Sequence, residues 1–150
     1  MSALFAFLHH LFAFTLVAAL AVEFVLIRDE PSATQARRVQ IVDAVVGASA
    51  ALLLIVGLLR VFYFEKGAAF YFSNAFFIAK LALFVAVGVI SIGPTREFLS
   101  WGRTLRSGGT PAIHPAKLAS LRRAMHWELI GVVLIILCAA LVARGVGQIG

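Results

Sequence analysis

Charged side chains are scarce. They make up 13% of the 150 residues, against about 25% in an ordinary soluble domain. Apolar residues reach 62%, and the mean hydropathy is +1.00. So few polar groups cannot cover a water-facing surface, which excludes an ordinary soluble enzyme, a disordered tail and a secreted disulfide scaffold. The single cysteine, Cys138, excludes an intrachain disulfide and a cysteine-built zinc or iron–sulfur centre. Neither H-E-x-x-H nor G-x-S-x-G occurs, and there is no phosphate-cradling loop. The period-two alternation of a membrane barrel strand is missing as well. A net charge of +6 would suit nucleic acid, but the basic residues flank apolar runs instead of forming a soluble basic face, so no nucleic-acid partner is expected.

What remains is an integral membrane protein in contact with a lipid bilayer. A helix needs about 20 mostly apolar residues to cross the hydrocarbon core. Four stretches qualify, at residues 3–27, 41–63, 75–93 (ended by Pro94) and 127–143, within a single membrane domain that covers residues 1–150. Backbone groups left unpaired in lipid are costly, so these are expected to be helices, and the fold class is an all-α membrane four-helix bundle. The first stretch lacks the basic leader of a secretory signal and carries His9, His10 and Glu23; it reads as a retained helix. Residues 94–126 read as a long cytoplasmic loop with a flexible linker at Ser107–Pro115, and Pro115–Met125 as a solvated segment anchored by anionic headgroups, with a short basic amphipathic helix on the membrane surface as the alternative.

Orientation follows from basic residues. Arg28, Arg37, Arg38, Arg96, Arg103, Arg106, Lys117, Arg122 and Arg123 lie on the side of the two connecting loops, against Arg60, Lys66 and Arg144 on the other. This asymmetry predicts a multi-pass protein of the cell inner membrane with both termini outside the cytoplasm.

The sequence also repeats itself. Arg37-Arg38-Val-Gln-Ile-Val-Asp43 opens the second span and Arg122-Arg123-Ala-Met-His-Trp-Glu128 opens the fourth: two arginines, then a carboxylate, then a long apolar run. His9 and His10 in the first span match Lys80 in the third more weakly. Two hairpins of one orientation would form a parallel repeat about an axis along the membrane normal.

Ionisable groups inside a span cost about 2.5–3.5 kcal/mol each on insertion scales, and so mark function or a buried partner. At about 1.5 Å per residue, His9, His10 and Lys80 lie roughly 9 Å below the outer boundary, with Arg60 a little nearer it. Glu23, Asp43 and Glu128 lie toward the inner side, close in sequence to Arg38 and Arg123. A structural reading pairs Asp43 and Glu128 with those arginines. Helical phase puts His9, Leu16 and Glu23 on one face and turns His10 about 100° away. It also gives the second span a small-residue stripe, Asp43, Gly47, Ala50 and Gly57. That stripe allows close helix approach, either between copies in a homo-oligomer or within the chain's own bundle.

This layering limits how a haem could be held. His126 lies too far below His9 and His10 to share an iron with them, so His9 or His10 would be the metal ligand. Lys80 or water would complete the coordination, or Lys80 and Arg60 would hold the propionates of a tetrapyrrole. Phe5, Phe7, Phe12, Phe14, Phe76, Phe77 and Phe84 would line the pocket. In a redox protein of this kind Lys80, Glu23, Asp43 and Glu128 are the candidate catalytic groups, the three carboxylates as a proton relay. The same layers suit a small proton-coupled or anion transporter, and a structural or assembly protein without chemistry is the third reading.

The chain resembles a family of small bacterial four-helix membrane proteins of uncharacterised function and, more distantly, the HemJ-type protoporphyrinogen oxidases. The likeness rests on His9 followed by Ala18-Ala19-Leu20, on Arg37-Arg38, on Ala79-Lys80-Leu81-Ala82-Leu83, and on Arg122-Arg123 with Glu128. The resemblance to the oxidases implies a bound haem b, with His9 (or His10) and Lys80 as the residues of activity.

Overall fold

The structure, a computed structural model, describes residues 2–64 and 67–149. Lys66, counted above among the outer basic residues, lies outside them. The elements are α1 (Ser2–Leu26), α2 (Ala33–Leu59) continuing into a π-helical turn (Arg60–Phe64), the short α3 (Ala68–Phe72), α4 (Ala75–Arg106) and α5 (Pro115–Ala143). Among the described residues, α1, α2 with its π turn, α4 and α5 are long and apolar enough to cross a membrane. The outer face carries the exposed apolar side chains of a lipid-facing surface, among them Phe14, Val25, Ile41, Val85 and Val133.

Three of the four spans run further than their apolar stretches. α2 starts at Ala33 because Ser32 and Gln35 form a reciprocal capping box: the Ser32 hydroxyl accepts from Gln35 N–H at 3.3 Å, and the Gln35 side chain accepts from Ser32 N–H at 3.0 Å. α4 does not end at Pro94, which is buried inside the helix. It ends at Arg106, where Ser107 and then Gly108, at φ 80°, close the helix in the left-handed conformation that glycine adopts without strain. α5 starts at Pro115, a proline in the first turn where no N–H is missed, with the His114 ring accepting from Ala116 N–H at 3.2 Å. The expected loop 94–126 is therefore corrected: most of it is helix, and only residues 107–114 connect. At 1.5 Å per residue α4 and α5 are about 48 and 44 Å long, which exceeds a hydrocarbon core of about 30 Å.

The helices pair as two hairpins, α1 with α2 and α4 with α5. The hairpins meet through α2 against α4 and α1 against α5, so α1 and α4 stand on one diagonal and α2 and α5 on the other. This is the arrangement a two-fold axis along the bundle would generate. The paired arginines latch it reciprocally. Arg37 of α2 donates to the Leu105 carbonyl at the end of α4 (3.1 Å), and Arg122 of α5 donates to the Arg28 carbonyl just past the end of α1 (2.8 Å).

The interior is stacked in layers. At the end carrying the two connecting turns, Ile27, Ala36, Val39, Phe98, Trp101, Leu105, Ile113, Leu121 and Met125 form a core as dry as that of a soluble protein. Next come Glu23, Asp43 and Glu128, all buried. Beyond them Leu16, Leu20, Val46 and Val132 form an apolar layer. At the end carrying the termini, Val61, Phe77 and Val142 close the bundle. There the fully buried Asn74 ties the C-terminal segment down. Its Nδ2 donates to Val146 O (2.9 Å), its Oδ1 accepts from the N–H groups of Phe76 and Phe77, and Ala75 N–H donates to Gly147 O (2.9 Å). Gly147 is required here: its φ is 86°, and a Cβ would lie 2.5 Å from Phe76.

Candidate functional site

Close helix contacts set the register of the bundle. The His9 ring lies against Gly57, where an added Cβ would come within 3.2 Å of His9 Cε1. Counting an equal number of residues down α1 and α2 from that contact brings Glu23 opposite Asp43. In the other hairpin Val87 fills the space over Gly131, where a Cβ would lie 2.3 Å from Val87 Cγ2. One turn further, Ser91 meets Glu128. Between hairpins, Thr95 Oγ1 donates to Asp43 Oδ1 at 2.7 Å, and Gln40 Nε2 donates to Phe98 O at 2.6 Å.

Three carboxyl groups thus converge from α1, α2 and α5 on one level of the interior. Glu23 interacts electrostatically with both Asp43 and Glu128, and Glu128 with Asp43. Asp43 takes its hydrogen bond from Thr95, and the Ser91 hydroxyl stands beside Glu128; both hydroxyls are on α4. Glu23 Oε2 and Glu128 Oε1 are buried without a hydrogen-bond partner. The residues themselves are only 2% exposed. The ion pairs expected with Arg38 and Arg123 do not form. Among the described residues no cationic side chain pairs with Glu23, Asp43 or Glu128, and Arg38 and Arg123 are exposed. The reason is geometric: in each Arg-Arg pair the first arginine latches the opposite hairpin and the second points outward, while the carboxylate turns in.

The histidines and Lys80 lie about 21 Å along the bundle from the carboxylates, by the rise of α1 between His9 and Glu23. His9 is half-buried on the inward face against Gly57. His10 is exposed, with its Nδ1 2.7 Å from the Ala6 carbonyl oxygen, and the two rings stand perpendicular with centroids 6.1 Å apart. Lys80 is half-buried on the inward stripe of α4, with its ammonium 4.9 Å over the Phe77 ring. By the same registers Lys80 falls at the level of Gly57 and His9, on the diagonal from α1. Arg60 is half-buried where α2 passes into its π turn, one turn nearer the terminal end. Of the phenylalanines expected to line a pocket, Phe77 is buried, whereas Phe7 and Phe14 are 62% and 71% exposed and face outward. Among the described residues no three His, Cys, Asp or Glu side chains come together as a metal-holding group.

Ser91 and Thr95 belong to the site and were not among the residues singled out for it. A helix that ends at Pro94 leaves Thr95 in a loop, whereas the structure carries α4 through to Arg106. The available signal was the spacing of Lys80, Val87, Ser91 and Thr95 along one helical stripe.

The fold and this interior define an integral membrane four-helix bundle with polar layers inside its core. Within that class, residues 1–147 match the sequence model of the family described as "Predicted membrane protein (DUF2214)", and the chain belongs to that family. No match was found among curated proteins or among solved structures. The distant likeness to HemJ-type oxidases receives no support from these comparisons.

Proposed function

We propose that the protein is a proton-coupled carrier of the cell inner membrane, with Glu23, Asp43 and Glu128 as its proton-binding groups. One observation carries this reading: three buried carboxyl groups act on one another with no cationic partner among the described residues. Each unpaired buried acceptor costs about 1–3 kcal/mol. A set of this kind needs positive charge from elsewhere, and a proton supplies it while turning a carboxyl oxygen into a donor for its neighbour. Ser91 and Thr95 fix the geometry of Glu128 and Asp43. The apolar layer of Leu16, Leu20, Val46 and Val132 separates these groups from His9 and Lys80. A proton therefore crosses only when this layer and the apolar core at the loop end open, which suits a carrier better than an open channel. The nine basic residues at the loop end support an orientation with both termini outside the cytoplasm.

The experiment is proton flux into proteoliposomes, followed with an internal pH dye under an imposed gradient. Glu23→Gln and Asp43→Asn should each lower the flux about tenfold or more, the effect expected of losing a proton-transfer group. Flux unchanged in both variants eliminates the carrier.

A second reading places haem b or another tetrapyrrole at the far layer, with His9 as axial ligand and Lys80 and Arg60 on the propionates. What supports it is the inward orientation of His9 and its common level with Lys80. Protein purified after expression with ample haem should then show a Soret band that His9→Ala removes. A spectrum without that band counts against it.

A further inference from the structure

The two arginine latches are not equivalent. Arg122 is half-buried, with its guanidinium 5.9 Å over the Phe24 ring and bonded to the Arg28 carbonyl. Arg37 is exposed and commits one nitrogen, Nη2, to the Leu105 carbonyl. The other N–H groups of its planar fork remain available at the polar end of an open groove of about 590 Å³, lined by Arg37, Gln40, Ile41, Ala44, Val45 and Ala48. The groove lies on α2, where Gln40 and Arg37 bond across to α4. Its floor runs from the loop end toward the membrane interior. Ala44 and Ala48 keep it shallow-walled, and beside them a Cβ added to Gly47 would meet nothing within 4 Å. From Arg37 to Ala48 it spans about 16 Å of helix, the reach of one acyl chain.

A phosphate at the boundary, an apolar tail below it and a planar cation with free donors are complementary parts. We infer that this groove binds one anionic phospholipid, its phosphate held by Arg37 and the neighbouring exposed Arg38, its acyl chain laid along Ile41, Ala44, Val45 and Ala48. The site is independent of the carboxylate layer, because Asp43 turns inward from the same helix while these residues turn out. A second copy of the chain would find no complementary charge here, since Arg37 would face Arg37 across a two-fold contact.

The test is native mass spectrometry of the full chain released from nanodiscs of phosphatidylglycerol or phosphatidylcholine. One phosphatidylglycerol should be retained per chain, in preference to phosphatidylcholine. Arg37→Ala should lower that retention about tenfold, the worth of one charge-assisted hydrogen bond. Because Arg37→Ala also removes the latch to Leu105, Ala48→Trp serves as the second variant: it fills the groove, leaves Arg37 intact and should displace the lipid equally. Equal retention of the two lipids in wild type and both variants overturns the proposal. So does a dimer that crosslinks at Ala48→Cys and holds no lipid.

Discussion

The hairpins α1–α2 and α4–α5 share a scaffold and differ in chemistry. His9, Leu16, Leu20 and Glu23 on α1 fall at the same spacings as Lys80, Val87, Ser91 and Pro94 on α4. Asp43, Val46, Ala50, Leu53 and Gly57 on α2 match Glu128, Gly131, Ile135, Cys138 and Val142 on α5 in the same way. Each hairpin sends one arginine to a carbonyl of the other. Yet the close contact sits at the terminal end of the first hairpin, where His9 meets Gly57. In the second it sits near the middle, where Val87 meets Gly131. Where α1 brings a carboxylate, α4 brings a buried proline between two serine and threonine hydroxyls. The difference teaches that the carboxylate layer is built from the asymmetry. Two carboxylates come from the repeated motif, the third from α1 alone, and the hydroxyls that hold two of them from α4 alone. Four symmetric carboxylates would add one more charge to desolvate, with no donor to fix it.

The comparison can be broken or sharpened by mutation. Phe98 and Ile27, equivalent positions in the two hairpins, are both fully buried in the same core. Phe98→Ala should cost about 3–5 kcal/mol and Ile27→Ala about 2–5, read as the thermal midpoint of helicity in detergent. A negligible effect at either position would separate the hairpins energetically. Next in size is Gly131→Val, which drives a side chain into Val87 and should cost about 1–3 kcal/mol or more. Gly47→Ala on α2 meets open space and should leave stability unchanged or raise it by about 0.4–1 kcal/mol. Equal losses at the two glycines would remove the distinction drawn between them. Thr95→Val takes the donor from Asp43 and should likewise cost about 1–3 kcal/mol in stability. Combined with Asp43→Leu the two should be less than additive, because the second change removes the acceptor that the first left unpaired. Strict additivity would show that the bond contributes nothing.

Much of the architecture was legible in the sequence, because a bilayer imposes an apolar length that hydropathy reads directly. The all-α class, the four spans and the inward face of His9, Leu16 and Glu23 follow from length and period alone. The helix ends were less legible. Residues 95–106 and 115–126 are polar enough to read as loop, but their apolar stripe of Phe98, Trp101, Leu105, Leu121 and Met125 forms a soluble-type core at the loop end, which hydropathy windows do not register. The capping box at Ser32 and the proline at 115 carried the missing starts. Within the site, Glu23, Asp43 and Glu128 could be named from sequence because charge in a span stands out. Their hydroxyl partners could not, because Ser91 and Thr95 are unremarkable until α4 is known to continue through Pro94. The arginines misled for a related reason: adjacency along the chain suggested pairing with the carboxylates, whereas helical phase sends the two groups to opposite sides.

The central claim is that the interior carboxyl groups exchange protons as one unit. Infrared difference spectroscopy of the purified protein in lipid, recorded across a pH step, reads carboxyl protonation directly. A carboxyl band should rise as pH falls. Its shape should change in each of Glu23→Gln, Asp43→Asn and Glu128→Gln, and the triple variant should keep only the part due to Asp29, Glu30, Glu65, Glu97 and the terminal carboxyl, with helicity retained throughout. A wild-type band no larger than that of the triple variant would contradict the account.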